Sequence, residues 1–436
     1  QRLVPADRID DPIVVSLIEK AESGKTAEEG FGAIEFEADG NVYWGQFLDI
    51  SGSRNPNWKI GLALPRSDVM AQVERNNRIN MLVGLLSVTL AALFAAFVSK
   101  NISRPLQALA QETVRIGQFN LSPVTWRHSI VEEVDRLTQA IEEMKLSLRS
   151  FQKYVSADLV RGLMQRGEEA QLGGKRQILT IYFGDIAGFT SISEQLNPEA
   201  LVDHVGSYLG AMSEEIIRNR GTVDKYIGDA IMAFWGAPEE NTTHAYDACL
   251  SAIANQRKLV GLREHWEKKH LPPFHTRIGI HTGEAIVGNI GSSLRMDYTV
   301  LGDTVNLTQR LESLNKYYGT SILISKATFV EVRDKLVARH IDLISVKGKT
   351  EGVHIYELIG TREEVPDAQQ RLVDVHSRAV SDYHQRNWDA AIEGFSTYLA
   401  SFPDDKPAQM LLHRCRECRE NPPPPDWSGV HRINRK

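Results

Sequence analysis

Two aspartates lie beside glycine turns, at positions where carboxylates can hold cations. Asp185 ends the apolar run 178–186 and precedes Gly188. Asp229 follows Gly228 between two runs of β-forming residues. A carboxylate at a strand end can bind a hard cation while nearby N–H groups contact phosphate oxygens. Taken singly, each aspartate also has a structural explanation, a helix cap at 185 and turn chemistry at 229.

The two aspartates together predict more than either alone. If their strands pair side by side, the carboxylates of Asp185 and Asp229 lie next to each other at one end of the sheet. Adjacent carboxylates repel each other unless a cation lies between them. Two Mg²⁺ ions about 4 Å apart would activate an attacking oxygen and neutralise phosphates during an in-line displacement.

Strands and helices must position these residues, and they alternate along this part of the chain. The predicted elements are a buried strand at 178–186, helices at 199–218, 243–268 and 303–317, a hairpin at 222–235, a strand pair at 275–291, and strands at 321–324 and 353–359. This order predicts an α+β sandwich with helices on one face of a mainly antiparallel sheet.

Four segments of the chain resemble the signature segments of class III nucleotidyl cyclases. They are FGDIAGFT (183–190), KYIGDAIMAFW (225–235), RIGIHTGEAIVGNIG (277–291) and DYTVLGDTVNLTQRLE (297–312). One segment alone would be weak, but four with order and spacing intact identify the family. The resemblance covers residues 178–362 and implies a ferredoxin-like cyclase domain, which we place at 154–362.

The resemblance implies a metal site and a phosphate contact. Asp185 and Asp229 match the family's metal-binding aspartates, and the carbonyl of Ile186 matches an added ligand. The implied cofactor is Mg²⁺, two ions per site, with Mn²⁺ able to substitute. Arg277 matches an arginine that contacts the triphosphate.

Four further positions match residues that act on the ribose and the base. Asn306 and Arg310 match the pair that orients the ribose and stabilises the transition state, and their i, i+4 spacing places both on one helix face. Lys225 and Thr299 match the two positions that choose the base. Lys is a pure donor that suits adenine N1, and a Thr hydroxyl can accept from the N6 amine. ATP is therefore expected over GTP, and the Lys/Thr pair resembles a subgroup that includes bicarbonate-responsive enzymes.

In this family the site forms between two protomers. The resemblance implies that Asp185, Asp229 and Arg277 come from one chain, and the ribose and base residues from its partner. The implied enzyme is a homodimeric adenylyl cyclase, in which the ribose 3′-oxygen attacks the α-phosphorus and pyrophosphate leaves. Two alternatives stay open: a guanylyl cyclase and a catalytically silent scaffold that binds nucleotide.

Bulk composition limits the other functions. The chain has 436 residues, enough for three or four modules, and its net charge of −6 gives no reason to expect a nucleic-acid partner. Three cysteines cannot form a disulfide framework. The first residue is Gln1 rather than Met, so we expect a truncated or processed chain.

An apolar run predicts a membrane span. Met81 to Val98 is 18 residues without a charge, and as a helix it would be ~27 Å long. We assign residues 79–99 to a transmembrane helix in the cell (inner) membrane, with the catalytic domain cytoplasmic. Basic residues flank both ends of the run, so charge alone does not fix the orientation.

Two heptad-patterned helices follow the span and resemble a HAMP linker, placed at 100–153. The repeats are Ile102, Leu106, Leu109, Thr113 and Ile116, then Val134, Leu137, Ile141, Met144, Leu148 and Phe151, with a polar break between them. Such helices form a parallel four-helix bundle from two chains, which predicts a homodimer through the HAMP and cyclase domains. An ordinary coiled-coil stalk is the alternative. We interpret residues 154–175 as a transducing link.

Both ends of the chain carry weaker signals. Alternating residues in 31–64 and a hairpin signal at Asp39-Gly40 predict strands, and residues 1–78 resemble the membrane-proximal end of a Cache-like sensor for an unknown extracytoplasmic ligand. Residues 363–436 predict a helical, TPR-like tail.

Two features contain residue types that can carry chemistry, but we expect both to be packed side chains. His281 lies on an apolar strand, where a packed histidine is expected. Cys415 and Cys418 form a lone C-x-x-C pair on a predicted helix, where packing is favoured over a metal-binding or redox role.

Overall fold

The structure, a computed structural model, describes residues 8–23, 32–50, 58–126, 128–152, 171–345 and 352–431. They divide into two compact units. One combines the residues before 114 with 123–142, and the other combines 114–122 with the residues from 143 onward. Residues 154–170 of the predicted transducing link, 154–175, lie outside the described residues.

The first unit begins with helix α1 (Pro12–Glu22) and a three-stranded antiparallel sheet. Its strands are β1 (Ile34–Ala38), β2 (Asn41–Ile50) and β3 (Trp58–Pro65), in that order across the sheet. The predicted hairpin turn is present, because Asp39 and Gly40 have φ values of 51° and 71°. Positive φ at both central residues is typical of the tight turns that join antiparallel strands.

A long helix continues from this sheet. Helix α2 (Arg66–Val98) has 33 residues, and a π-helical turn (Ser99–Ser103) joins it to α3 (Arg104–Gly117). Helix α4 (Glu132–Phe151) follows the polar break. Among the described residues, this one continuous helical stretch is long and apolar enough to cross a membrane, and none of its most apolar 18-residue window is buried.

The second unit contains an eight-stranded mixed sheet. Its strands are β4 (Gly173–Ile186), β5 (Thr222–Ile227), β6 (Ala230–Trp235), β7 (Thr276–Ser292), β8 (Arg295–Leu301), β9 (Ile322–Ser325), β10 (Leu336–Ile344) and β11 (Val353–Thr361). The order is β10-β11-β9-β7-β4-β6-β5, with β8 paired to β7 outside this path. Of these pairings, β7 with β9 is parallel and the others are antiparallel. The predicted α+β class is confirmed.

Residues 275–291 differ from the prediction of a strand pair. Residues 276–291 lie within one 17-residue strand, β7, and His275 directly precedes it. Its glycines do not turn the chain there. Gly288 instead permits close approach of β4, since a Cβ at this position would lie 2.1 Å from the carbonyl oxygen of Gly173.

Helices cover both faces of the sheet, which corrects the prediction of a single covered face. The helices of this domain are α5 (Phe189–Ser193), α6 (Pro198–Arg218), α7 (His244–Lys268), α8 (Asp303–Tyr318) and α9 (Lys326–Val332). Tyr182 and Ile280 form a core with α6 and α7. Gly279, which points to the other face, packs against α8. The sequence order of the elements did not specify the face on which α8 packs.

Three helices follow the sheet and belong to the same compact unit. They are α10 (Asp367–His384), α11 (Trp388–Ser401) and α12 (Lys406–Glu420). The buried guanidinium of Arg339 on β10 donates to the hydroxyl of Tyr398 and lies near the carboxylate of Asp405, each at 2.6 Å. The helical tail is confirmed, and its likeness to TPR repeats stays a prediction.

Candidate active site

The paired strands bring the two predicted aspartates together. Strand β6 lies beside β4, with Ile231 opposite Gly184, so the turn at Gly228-Asp229 reaches the end of β4. There the carboxylate of Asp229 accepts a hydrogen bond of 3.3 Å from the backbone N–H of Ile186.

Burial, and then neighbouring negative charge, disfavour the ionised form of the Asp185 carboxyl. Burial raises the pKa of Asp185 to about 7, and the carboxylates of Glu312 and Asp229 act in the same direction. The guanidinium of Arg277 opposes this shift only in part. Uncompensated carboxylates of this kind attract a cation.

Arg277 links Asp185 to an acidic residue that the sequence analysis missed. Arg277 is directly opposite Asp185 in the pairing of β4 with β7, and its Nη2 lies 3.4 Å from the Oδ2 of Asp185. Its Nε lies 3.6 Å from the Oε1 of Glu312 on α8. Both of these atoms are buried without a hydrogen-bond partner in the described part of the chain. The guanidinium is thus held between two carboxylates.

The donor set fits a hard divalent cation. Two carboxylates and a backbone carbonyl, at Asp185, Asp229 and Ile186, are oxygen ligands of the kind that Mg²⁺ prefers. Across the described ranges, no group of three or more His, Cys, Asp or Glu side chains is arranged as a metal site. Mg²⁺ commonly completes its shell with water and substrate phosphates, so a two-carboxylate site is sufficient.

Helix α8 carries the predicted ribose and transition-state residues. It packs so closely on β7 that a Cβ at Gly279 would lie 2.3 Å from the backbone nitrogen of Glu312. Asn306 is exposed on this helix and Arg310, one turn later, is half-buried. The close packing fixes α8 relative to the strand that carries Arg277.

The two predicted base-reading residues meet at a second residue that the sequence analysis missed. The hydroxyl of Thr299 on β8 donates to the Oδ2 of Asp224, at 2.5 Å. The ammonium of Lys225 lies 3.4 Å from the Oδ1 of the same carboxylate. Asp224 immediately precedes Lys225, and that adjacency was the only signal in the sequence.

The two features that favoured packing are confirmed as packing. His281 is buried, and its Nδ1 lies 2.7 Å from the Oγ of Ser325. Cys415 is buried and Cys418 is half-buried on α12, both as free thiols.

A protein-family model matches the part of the chain that contains this site. The model of the Adenylate and Guanylate cyclase catalytic domain matches residues 174–360, which include every predicted site residue. Residues 174–360 therefore belong to the adenylate and guanylate cyclase family. The name of the family includes both nucleotides, so membership alone does not choose the base.

The similarity to two named relatives extends beyond residues 174–360. Adenylate cyclase 1 of Rhizobium meliloti (strain 1021) is 33% identical over 313 residues, which are 72% of this chain and 46% of that protein. The adenylate cyclase of Anabaena cylindrica is 31% identical over 331 residues, 71% of this chain and 64% of that protein. The chain thus spans about half to two thirds of these relatives.

A crystal structure of the adenylyl cyclase CyaB from P. aeruginosa is also similar. It is 38% identical to this chain, and the alignment covers 45% of this chain and 100% of that one, with a TM-score of 0.42.

Proposed function

We propose that this protein is a membrane-anchored adenylyl cyclase that converts ATP to 3′,5′-cyclic AMP and pyrophosphate. The main support for ATP as the substrate is that Lys225 and Thr299 both contact the carboxylate of Asp224. Lys225 offers a donor to adenine N1, and Thr299 offers an acceptor to the N6 amine. Guanine presents a donor at N1 and an acceptor at O6, which neither group matches. Relatives named adenylate cyclases support the same choice.

The residues of the site divide the reaction between them. Arg277 binds the triphosphate, Asn306 orients the ribose, and Arg310 stabilises the negative charge that develops on the α-phosphoryl group. The ribose 3′-hydroxyl loses its proton to solvent, and the bond from its oxygen to the α-phosphorus forms as the bond from that phosphorus to pyrophosphate breaks. Two Mg²⁺ ions held by Asp185, Ile186 and Asp229 would lower the pKa of the 3′-hydroxyl and neutralise the phosphates.

Two copies of the chain would share each site. The metal-side residues Asp185, Asp229 and Arg277 act with Lys225, Thr299, Asn306 and Arg310 of a second copy, and two-fold symmetry then gives two equivalent sites.

The heptad residues of α3 and α4 support this pairing. Leu109, Ile116, Val134 and Ile141 are buried in the single chain. Leu106, Leu137, Met144 and Phe151 are exposed by 42–68%. Apolar heptad positions left open in this way are what a parallel bundle of two chains would cover.

The proposed regulation follows the order of the modules. Residues 1–78 belong to an extracytoplasmic sensor, residues 79–99 cross the membrane, and residues 100–153 form a HAMP linker ahead of the cyclase domain. A signal that repacks the linker would change how two catalytic halves meet, and so change the rate without altering a catalytic residue.

A nucleotide assay tests the proposed activity. The full chain in detergent micelles or native membranes is given ATP or GTP with Mg²⁺ or Mn²⁺, and cyclic products are identified by mass spectrometry. Cyclic AMP is the expected main product. A preference for GTP would refute the assignment of Lys225 and Thr299, and absence of turnover by a folded dimer would favour the silent scaffold.

A further inference from the structure

A buried carboxylate lies behind the two base-reading residues. The side chain of Asp224 is 1% exposed. It accepts from the hydroxyl of Thr299 and from the backbone N–H of Val300, and it pairs with the ammonium of Lys225. A carboxylate this deeply buried must be compensated, and its partners come from two separate strands.

The backbone conformation of β5 explains why the side chains of Asp224 and Lys225, which are adjacent in sequence, can contact each other. Successive residues of a regular strand point to opposite faces. The pairing of β5 with β6 shifts register between Val223 and Lys225, so Asp224 is the additional residue of a β-bulge. The bulge lets the carboxylate of Asp224 contact both Lys225 and Thr299.

The hydrogen bond to Asp224 leaves the Thr299 hydroxyl able only to accept a hydrogen bond from the substrate. A free hydroxyl can donate or accept, but it has one hydrogen. An ionised carboxylate only accepts, so the hydrogen of Thr299 is committed to Asp224. The lone pairs of Thr299 are then left for the substrate, which suits the adenine amine and repels the guanine O6.

We propose that Asp224 is a specificity-determining positioning residue, which fixes the Thr299 hydroxyl as an acceptor for the 6-amino group of the substrate base. This inference rests on the proposed function and adds a residue to it. Asp224 does not contact the nucleotide itself. It acts through the orientation of one hydroxyl.

The test compares ATP with purine riboside triphosphate, which keeps N1 and lacks the 6-amino group. The full chain should prefer ATP in kcat/KM. In Asp224→Asn, the amide can donate to Thr299 and free its hydroxyl hydrogen to point at the base. The ratio of the two kcat/KM values should then fall about tenfold, the effect of losing one hydrogen bond of ordinary strength.

A merely structural role for Asp224 would lower both kcat/KM values by the same factor. An unchanged ratio in a folded Asp224→Asn protein, with dimer content matched to the unsubstituted protein, would therefore overturn the inference. In a Thr299→Val background, Asp224→Asn should change the ratio no further. An additional change there would also overturn it.

A second pair of variants keeps the test open if Asp224→Asn fails to fold. Thr299→Ser retains a hydroxyl that Asp224 can orient, so the ratio should be kept, whereas Thr299→Val should lose it. Equal ratios in these two variants would overturn the inference. Failure of the unsubstituted protein to cyclise either nucleotide is a distinct result, which would remove the proposed function and this inference with it.

Discussion

At Asp185, burial and neighbouring carboxylates shift the proton equilibrium in one direction. The pKa of Asp185 is raised from 3.8 to about 7 in the folded chain, first by burial and then by Glu312 and Asp229. Between these two values the metal-free folded state holds a proton that the unfolded state has lost. The contribution of Asp185 to stability is therefore complete below about pH 4 and is lost as the pH rises through about 7.

Mg²⁺ should reverse this pH dependence, because it binds the ionised carboxylate and displaces the proton. We expect the increase in Tm caused by Mg²⁺ to be larger at about pH 8 than at about pH 6. Thermal unfolding at both pH values, with Mg²⁺ and with a chelator, measures this. An increase in Tm that does not depend on pH would contradict it. Asp185→Asn is the control, in which most of the Mg²⁺ effect should disappear.

The residues of the site differ in how far the sequence could predict them. Asp185 and Asp229 were predictable as neighbours, because a strand end and a hairpin turn meet when their strands pair. Glu312 and Asp224 were not. The contact of Glu312 with Arg277 depends on how α8 packs on β7, and that of Asp224 depends on a bulge in β5. Neither packing nor bulges leave a periodic signal in the sequence.

The packing of α8 against β7 positions the predicted ribose and transition-state residues, Asn306 and Arg310. A Cβ at Gly279 would lie 2.3 Å from the nitrogen of Glu312 and 2.5 Å from the carbonyl oxygen of Thr308. Backbone atoms cannot move aside as the end of a side chain can, so Gly279→Ala must displace the helix. We expect a loss of stability of about 1–3 kcal/mol, as for other overpacked cores. Cyclase activity should fall further than this loss explains, since Asn306 and Arg310 move with the helix.

Gly261→Ala is the matched control on α7. Gly261 has no atom within 4 Å of a Cβ, so the substitution should be neutral or slightly stabilising through helix propensity. Thermal unfolding and activity measured on both variants separate the two cases. Equal behaviour of Gly279→Ala and Gly261→Ala would contradict the role given to close packing.

Most elements of the cyclase domain were predictable, and their arrangement less so. The hairpin at 222–235 and the helix at 303–317 follow from local patterns and lie within a residue of their predicted ends. Glycines in 275–291 can mark either a turn or a close approach of another strand. The close approach of β4 to Gly288 is a tertiary contact, which the local sequence does not specify. The face covered by α8 likewise depends on tertiary packing.

The helical tail, α10 to α12, contacts the C-terminal end of α8. Arg414 of α12 pairs with the buried carboxylate of Asp342 at 2.6 Å, and Asp342 accepts from the hydroxyl of Tyr318 at 2.7 Å. Tyr318 is the last residue of α8. Arg414 of the tail is therefore linked through Asp342 to the helix that carries Asn306 and Arg310, although the tail lies outside the cyclase family match.

In the proposed dimer, each site joins the carboxylates of one copy to the ribose and base residues of the other. Asp185→Ala and Asn306→Ala should each be inactive alone. Random pairing of equal amounts gives half mixed dimers, each with one intact site, so cyclic AMP production should recover to about a quarter of the unsubstituted level. As a control, Asp185→Ala mixed with Asp229→Ala alters the same side of the site twice and should recover nothing.

Cyclic AMP production by co-expressed, differently tagged variants tests most directly whether two copies share each site. Tandem purification on both tags isolates the mixed dimers, in which one site of two should be active. We expect about half of the unsubstituted activity in that fraction. Mixed dimers of Asp185→Ala with Asn306→Ala that are pure, folded and as inactive as either parent would contradict it.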